Sequence, residues 1–252
     1  MKDEGSNSLF SNTDRDWEYY GKNDPYYGVF TSDEFRSSTL GDEQIARFFQ
    51  SGEEYIEQIL GTIYKCVDSE FSPNKVLDFG CGVGRLVIPL AKRFDSVTGV
   101  DVSRSMIVEA EKNCIKFNLS NVEFVQSDDR LSLLSGTFDL IHSYIVFQHI
   151  PVRRGEAIFR QLLNTLNPGG VGVLQFIYRS NPLKRVFDAV PFANTLYSIY
   201  KGKPIGDRPI QMNQYNLNSL FAGLQSAGCQ NLYISFTRHA NNYGVTLFFQ
   251  KE

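Results

Sequence analysis

The stretch VLDFGCGVGRL, Val76 to Leu86, joins an apolar run to an acid and three alternating glycines. KVLDFG reads as a buried strand, and the glycines at 80, 82 and 84 turn the chain out of it. Glycine permits positive φ and leaves no Cβ between a backbone and a ligand. A turn of this kind stands at the carboxyl end of a strand, where open α/β sheets bind their ligands. One strand later, in SVTGVD, Asp101 ends a second apolar run 17 residues beyond Gly84, placed to accept hydrogen bonds from two ribose hydroxyls. A nucleoside is the expected ligand. The G-x-G-x-G spacing departs from the G-x-G-x-x-G of dinucleotide sites, where the pyrophosphate rests on a helix N-terminus. Asp78 is a poor neighbour for a phosphate and a good one for a cationic ammonium.

Outward from this stretch, apolar strands and helical patterns alternate. RLVIPLAKRF reads as a helix opening from the glycines and restricted by Pro89. SRSMIVEAEKNCIKFN reads as a helix capped by Ser103. Strands VEFVQ and FDLIHSYIVF, helix RRGEAIFRQLLNTL and strand VGVLQFIY follow. That alternation predicts a parallel sheet with helices on both faces. After a helix over LNSLFAGLQSAG, the runs LYISFTR and VTLFFQK are separated only by HANNYG and must pair antiparallel. Upstream, residues 42–68 are helical in pattern, with Gly52 expected to divide them into two helices. Residues 1–72 are thus expected to form an N-terminal extension and helical cap. Residues 73–252 form the main domain, which contains an insert at about 180–214. The insert carries Lys184, Arg185, Tyr197, Tyr200, Lys201 and Lys203, and has the length expected of a lid.

Composition narrows the classes. At 252 residues and 42% apolar content the chain suits one α/β domain with additions. A net charge of −3 argues against a nucleic-acid partner. No run approaches the roughly 18–20 apolar residues of a membrane span, and MKDEGSNSLF has no signal-peptide core. The expected compartment is the cytoplasm, with no membrane partner. Four scattered cysteines and three histidines give no metal-ligand spacing, so no metal is expected. Nothing in the sequence specifies an oligomeric state.

S-adenosylmethionine combines an adenosine, a positive sulfonium and an amino-acid tail, which suits Asp78, the glycines and Asp101 together. VLDFGCGVGRL, VTGVDVSRSMI, NVEFVQSD, FDLIHSYIVFQHIP and LNPGGVGVLQF also occur in the order seen in class I S-adenosylmethionine-dependent methyltransferases. Over about residues 75–176, and more loosely the final helix and strand pair, the chain resembles this Rossmann-like family, and DWEYYGKNDPYYGV with QHIP resembles its bacterial small-molecule type. The resemblance implies a doubly wound α/β fold with a seven-stranded, mostly parallel sheet of order 3-2-1-4-5-7-6. It implies that Asp78 and the backbone of Gly80, Cys81, Gly82 and Gly84 face the methionine part, and that Asp101 holds the ribose. Val102 and Met106 would enclose the adenine, Asp128 would take its amino group, and the Asp129 backbone would reach a ring nitrogen. Ser143 and Tyr144 would border the methionine tail and the methyl group. Local alternatives remain: a small buried slot for Cys81, a core position for Met106, and a helix cap for Asp128.

Methyl transfer is an in-line displacement that needs an aligned acceptor and the exclusion of water. A general base matters only where the acceptor must lose a proton. His149, in FQHIP, is the candidate base, with an ordinary pKa of about 6.5; packing on the cofactor or capping the helix after Pro151 is the alternative. Gln148 is a candidate for orienting the acceptor. His142 reads as a packed strand residue and His239 as part of a distal hairpin. Among Trp17, Tyr19, Tyr20, Tyr26 and Tyr27, at least one tyrosine is expected to face the site. The combined reading is methyl transfer to an oxygen or nitrogen of a small molecule, such as a sugar or secondary metabolite. Its rivals are an NAD-dependent oxidoreductase on the same fold and a non-catalytic cofactor-binding protein.

Overall fold

The alternation along the chain becomes a layered sheet. A computed structural model describes residues 13–179, 208, 210–239 and 242–252. Three helices come first, α1 (Thr13–Asn23), α2 (Pro25–Val29) and α3 (Asp42–Cys66). They lead into β1 (Lys75–Phe79), α4 (Val87–Ala91), β2 (Ser96–Asp101), α5 (Arg104–Lys116), β3 (Val122–Gln126) and β4 (Phe138–Ser143). The rest of the chain supplies α6 (Val152–Thr165), β5 (Leu166–Arg179), α7 (Leu217–Ser226), β6 (Cys229–His239) and β7 (Asn242–Lys251). The seven strands take the order β3-β2-β1-β4-β5-β7-β6, as expected. β1 to β5 pair in parallel, and β7 runs antiparallel to both β5 and β6. Most of the insert, residues 180–207 and 209, lies outside the described residues, and the lid expectation with it.

Strand alternation sends successive side chains to opposite faces, and here it divides the core in two. Val76, Val97, Leu140, Val173 and Phe248 pack beneath α3 and α4. Leu77, Phe79, Ile141, Leu174 and Phe249 pack against α6 and α7 on the other side. Both faces of the central strands are therefore buried, the condition under which parallel sheets occur. α4 is only five residues long, and Pro89 stands in its first turn, where a proline is tolerated.

The expected division at Gly52 does not occur. α3 runs unbroken for 25 residues with Gly52 inside it. A Cβ at Gly52 would lie 2.3 Å from the Arg85 carbonyl oxygen, so the glycine lets α3 approach the segment after the glycine turn. Gly52→Ala is expected to destabilise the protein by about 1–3 kcal/mol through overpacking. Alanine's better helix propensity would offset only about 1 kcal/mol of that. Urea denaturation of both proteins checks it.

Candidate active site

The glycine turn leaves β1 through three residues at positive φ, Gly80 at 78°, Gly82 at 53° and Gly84 at 86°. Cβ atoms on the first two would sit 2.2 Å from Val146 Cγ2 and 2.4 Å from Val29 Cγ2. Bare backbone is therefore required by the neighbours as well as by φ. A cavity opens over this turn at the carboxyl edge of the sheet, lined by Asp78, Gly80, Cys81, Gly82, Asp101, Val102 and Met106. Asp128, Asp129, Tyr144 and His149 also line it. Eleven of the predicted site residues thus meet around one space.

Asp101 ties the loop to the second strand. Its carboxylate accepts the Gly82 N–H at 2.8 Å and the Ser103 N–H at 2.9 Å. Burial nevertheless pushes its pKa up to about 6, against the lowering effect of those backbone donors. An acid held this way gains from further donors, and a ribose diol offers two. At the other end Asp78 is 2% exposed. Its register partner on β4 is His142, and the two share a 2.8 Å hydrogen bond through His142 Nδ1. His142 Nε2 lies 3.3 Å from the Tyr55 hydroxyl. His142 is therefore a partner of the key acid rather than an inert strand residue.

Arg85, unremarked in the sequence, also lines the cavity. Its guanidinium is buried, donates from Nη1 to Ser51 Oγ at 3.2 Å, and lies 6.0 Å from the Tyr144 ring centre. Its Nε has no partner, and burial lowers its pKa. A carboxylate and a guanidinium at the same end of a cavity match the ammonium and carboxylate of an amino-acid tail. Together with the bare loop and the acid on β2, this donor set fits an adenosyl amino acid.

Several expectations change. Ser143 points to the α6 face, where its hydroxyl donates to the Phe79 carbonyl at 2.9 Å, and it is absent from the cavity lining. Strand alternation carries it away from Asp78 and His142. Gln148 is buried outside the lining, with its amide nitrogen 3.2 Å from His149 Nε2. His149 faces the cavity, but Nδ1 donates to the Gln211 carbonyl at 2.8 Å, which leaves Nε2 to accept from Gln148. Asp128 uses its carboxylate to close its own turn, accepting from Arg130 N, Ser132 N and Ser132 Oγ; the helix that the cap alternative required does not form there. Of the named N-terminal aromatics, Trp17 lines the cavity and the tyrosines do not. Tyr20, Tyr26 and Tyr27 are core residues. His239 is not distal, since its ring lies 5.6 Å from that of Tyr144.

α1 contributes Thr13, Asp14 and Trp17 to the cavity wall. Arg154 of α6 clasps both Asp14 and Asp129, with Nε donating to Asp129 at 2.8 Å and Nη2 to Asp14 at 3.1 Å. Glu18 reaches across to the start of α5, accepting from Ser103 Oγ at 2.8 Å, Ser105 Oγ at 2.7 Å and Ser105 N at 3.1 Å. Burial works against its charge, but the donors from Ser105 and Ser103 outweigh it and hold the pKa down to about 2.

The sheet order, the bare turn and the acid on β2 are those of a Rossmann-like fold with a nucleoside site at its carboxyl edge. Residues 76–170 match the family described as methyltransferase domain. Among curated proteins it is similar to trans-aconitate 2-methyltransferase from Deinococcus radiodurans, 36% identical over 103 residues, covering 40% of this chain and 37% of the relative. A ubiquinone biosynthesis O-methyltransferase from Psychrobacter cryohalolentis is 30% identical over 145 residues, covering 54% of this chain and 55% of the relative. The chain thus spans less than two thirds of these relatives' length. In fold it is similar to magnesium protoporphyrin IX methyltransferase from Synechocystis PCC 6803, solved with bound SAH, at a TM-score of 0.63 and 19% identity. That match covers 94% of this chain and 98% of the other.

Proposed function

We propose that the protein is an S-adenosylmethionine-dependent methyltransferase acting on an oxygen or nitrogen of a small molecule. The observation that carries this reading is the bare glycine turn anchored by Asp101. A backbone amide, an unsaturated acid and two missing Cβ atoms converge where a nucleoside would lie. Relatives whose names specify methyl transfer to small molecules support the acceptor class. When bound, the cofactor supplies an electrophilic methyl group on a sulfonium.

In this reading Asp101 accepts from the ribose, while Val102 and Met106 hold the adenine between apolar surfaces. The Asp128–Asp129 turn borders its polar edge. Asp78, oriented by His142, faces the ammonium of the amino-acid tail, and Arg85 faces the carboxylate. Residues 13–72 serve as the cap, with Trp17 excluding water above the site. Tyr144 lies beside the reacting centre and aligns the acceptor. His149 and Gln148 serve as a fixed wall; His149 can take a proton only at Nε2, once Gln148 gives up its contact.

Calorimetry with S-adenosylhomocysteine and with NAD separates this reading from its oxidoreductase rival. Micromolar binding of the first and none of the second is expected. Tight NAD binding without S-adenosylhomocysteine binding would overturn the proposal. Incubation with labelled methyl donor and a small-molecule extract tests turnover.

A further inference from the structure

The sheet face under α3 changes character toward its carboxyl edge. One row of paired residues is His142, Val173, Phe248 and Tyr233. The next row on the same face is Gln175, Thr246 and Ser235, followed by Ile177, Gly244 and Thr237, and then by Asn242 and His239. An apolar core thus gives way to polar side chains, yet Gln175 is 0% and Asn242 6% exposed. Buried polar groups normally have partners. Here Gln175 Nε2, Thr237 Oγ1, His239 Nε2 and Asn242 Oδ1 all lack one.

The roles of the two amides are fixed by backbone. Gln175 Oε1 accepts the Ile145 N–H at 3.2 Å, so its orphan atom is a donor. Asn242 Nδ2 donates to the His239 carbonyl at 3.4 Å, so its orphan atom is an acceptor. Gly244 lets Thr237 and Gln175 close over β7 toward each other. A Cβ there would lie 2.6 Å from Thr237 Oγ1 and 2.9 Å from Gln175 Nε2. The His239 ring touches Tyr144, which lines the cofactor cavity and stacks on Tyr55 at 4.1 Å. The unpartnered groups therefore lie one aromatic ring from the proposed methyl-transfer site.

We propose that Gln175, Thr237, His239 and Asn242 form the acceptor subsite, and that it takes an uncharged, hydroxyl-bearing group. This rests on the methyltransferase reading above and specifies its substrate class. A free donor, a free acceptor and a hydroxyl that does both match a vicinal diol, whose hydroxyls donate and accept in turn. A carboxylate could take the Gln175 and Thr237 donors but would leave the acceptor Asn242 Oδ1 unpaired. Burial also lowers the His239 pKa, which keeps that ring neutral at neutral pH. Arg85 lies across the Tyr144 ring.

With three histidines in the chain, imidazole NMR reads the subsite directly. The probes are glycerol, myo-inositol and methyl β-D-glucopyranoside as neutral polyols, with succinate as the anion, each added to free and to S-adenosylhomocysteine-treated protein. At least one polyol is expected to shift the His239 signals while leaving those of buried His142 in place. Thr237→Val should weaken that polyol about tenfold without lowering the Tm, because it replaces an unpartnered hydroxyl with a methyl. Thr237→Ser should retain binding. A merely structural hydroxyl would instead lower the Tm and leave polyol affinity unchanged, which overturns the assignment. So does a His239 shift with succinate alone, or with no probe. Calorimetry on the same samples keeps the two proposals apart: S-adenosylhomocysteine binding with no polyol shift sinks only the subsite.

Discussion

An alanine at position 80 is expected to remove about 2–4 kcal/mol of stability and all measurable S-adenosylhomocysteine binding. Two costs add. Gly80 sits at φ 78°, a region that costs an L residue about 1–2 kcal/mol. Its Cβ would also meet three atoms of Val146, at 2.2, 2.6 and 2.9 Å. Val146 is β-branched, so its side chain has few rotamers into which to retreat. Relief must come from the backbone, either of the glycine turn or of the segment after β4, and both border the cavity. Chemical denaturation reads the first effect and calorimetry the second. An alanine variant with wild-type stability and affinity would show that the cradle is not the binding surface.

Asp101→Ala is expected to weaken S-adenosylhomocysteine binding by about 1–3 kcal/mol, roughly 5- to 150-fold, by removing charge-assisted hydrogen bonds and the partner of the Gly82 N–H. The wild-type protein should also show a pH signature. Burial raises the pKa of Asp101 in the free protein to about 6. A ribose diol donates more strongly to the ionised form, whose two oxygens both accept, so binding below that pH is coupled to release of a proton. Affinity should be flat above about pH 7 and fall by up to about tenfold per unit below about pH 6. Stability of the free protein has the opposite sign. Because the folded-state pKa is raised, Asp101's contribution is full below the ordinary carboxylate range and is lost as pH rises through 6. Asp101→Asn should flatten both profiles. Calorimetry and thermal melts across that range check them.

Much of the fold was legible because the glycine turn and the alternation of apolar runs are local signals. The strand order followed from motifs in sequence, and Ser103 does cap α5, accepting Met106 N at 3.2 Å. What escaped depends on register and on distant neighbours. Gly52 read as a break because its partner, the Arg85 carbonyl, is 33 residues away in the chain. His142 became the partner of Asp78 only once β1 and β4 were paired at a definite register. Ser143 was lost to the opposite face by the same alternation, one residue on. His239 joined Tyr144 because β6 ends at the carboxyl edge, a fact about strand direction that spacing alone does not reveal. Arg85 carried a visible signal, a charge directly after the third glycine in a segment otherwise apolar, and its burial makes that signal meaningful.

Glu18 lies in α1, yet it satisfies the opening turn of α5 from 85 residues upstream. A helix cap contributes about 1 kcal/mol, and Met106 sits in the turn that this one secures. α1 is accordingly a keystone for an inner helix as well as a cover. The cap and the domain beneath it are therefore expected to melt together. Amide exchange at Glu18 and at Met106 should slow and quicken together, and a chain shortened past α1 should fray first at its adenine pocket.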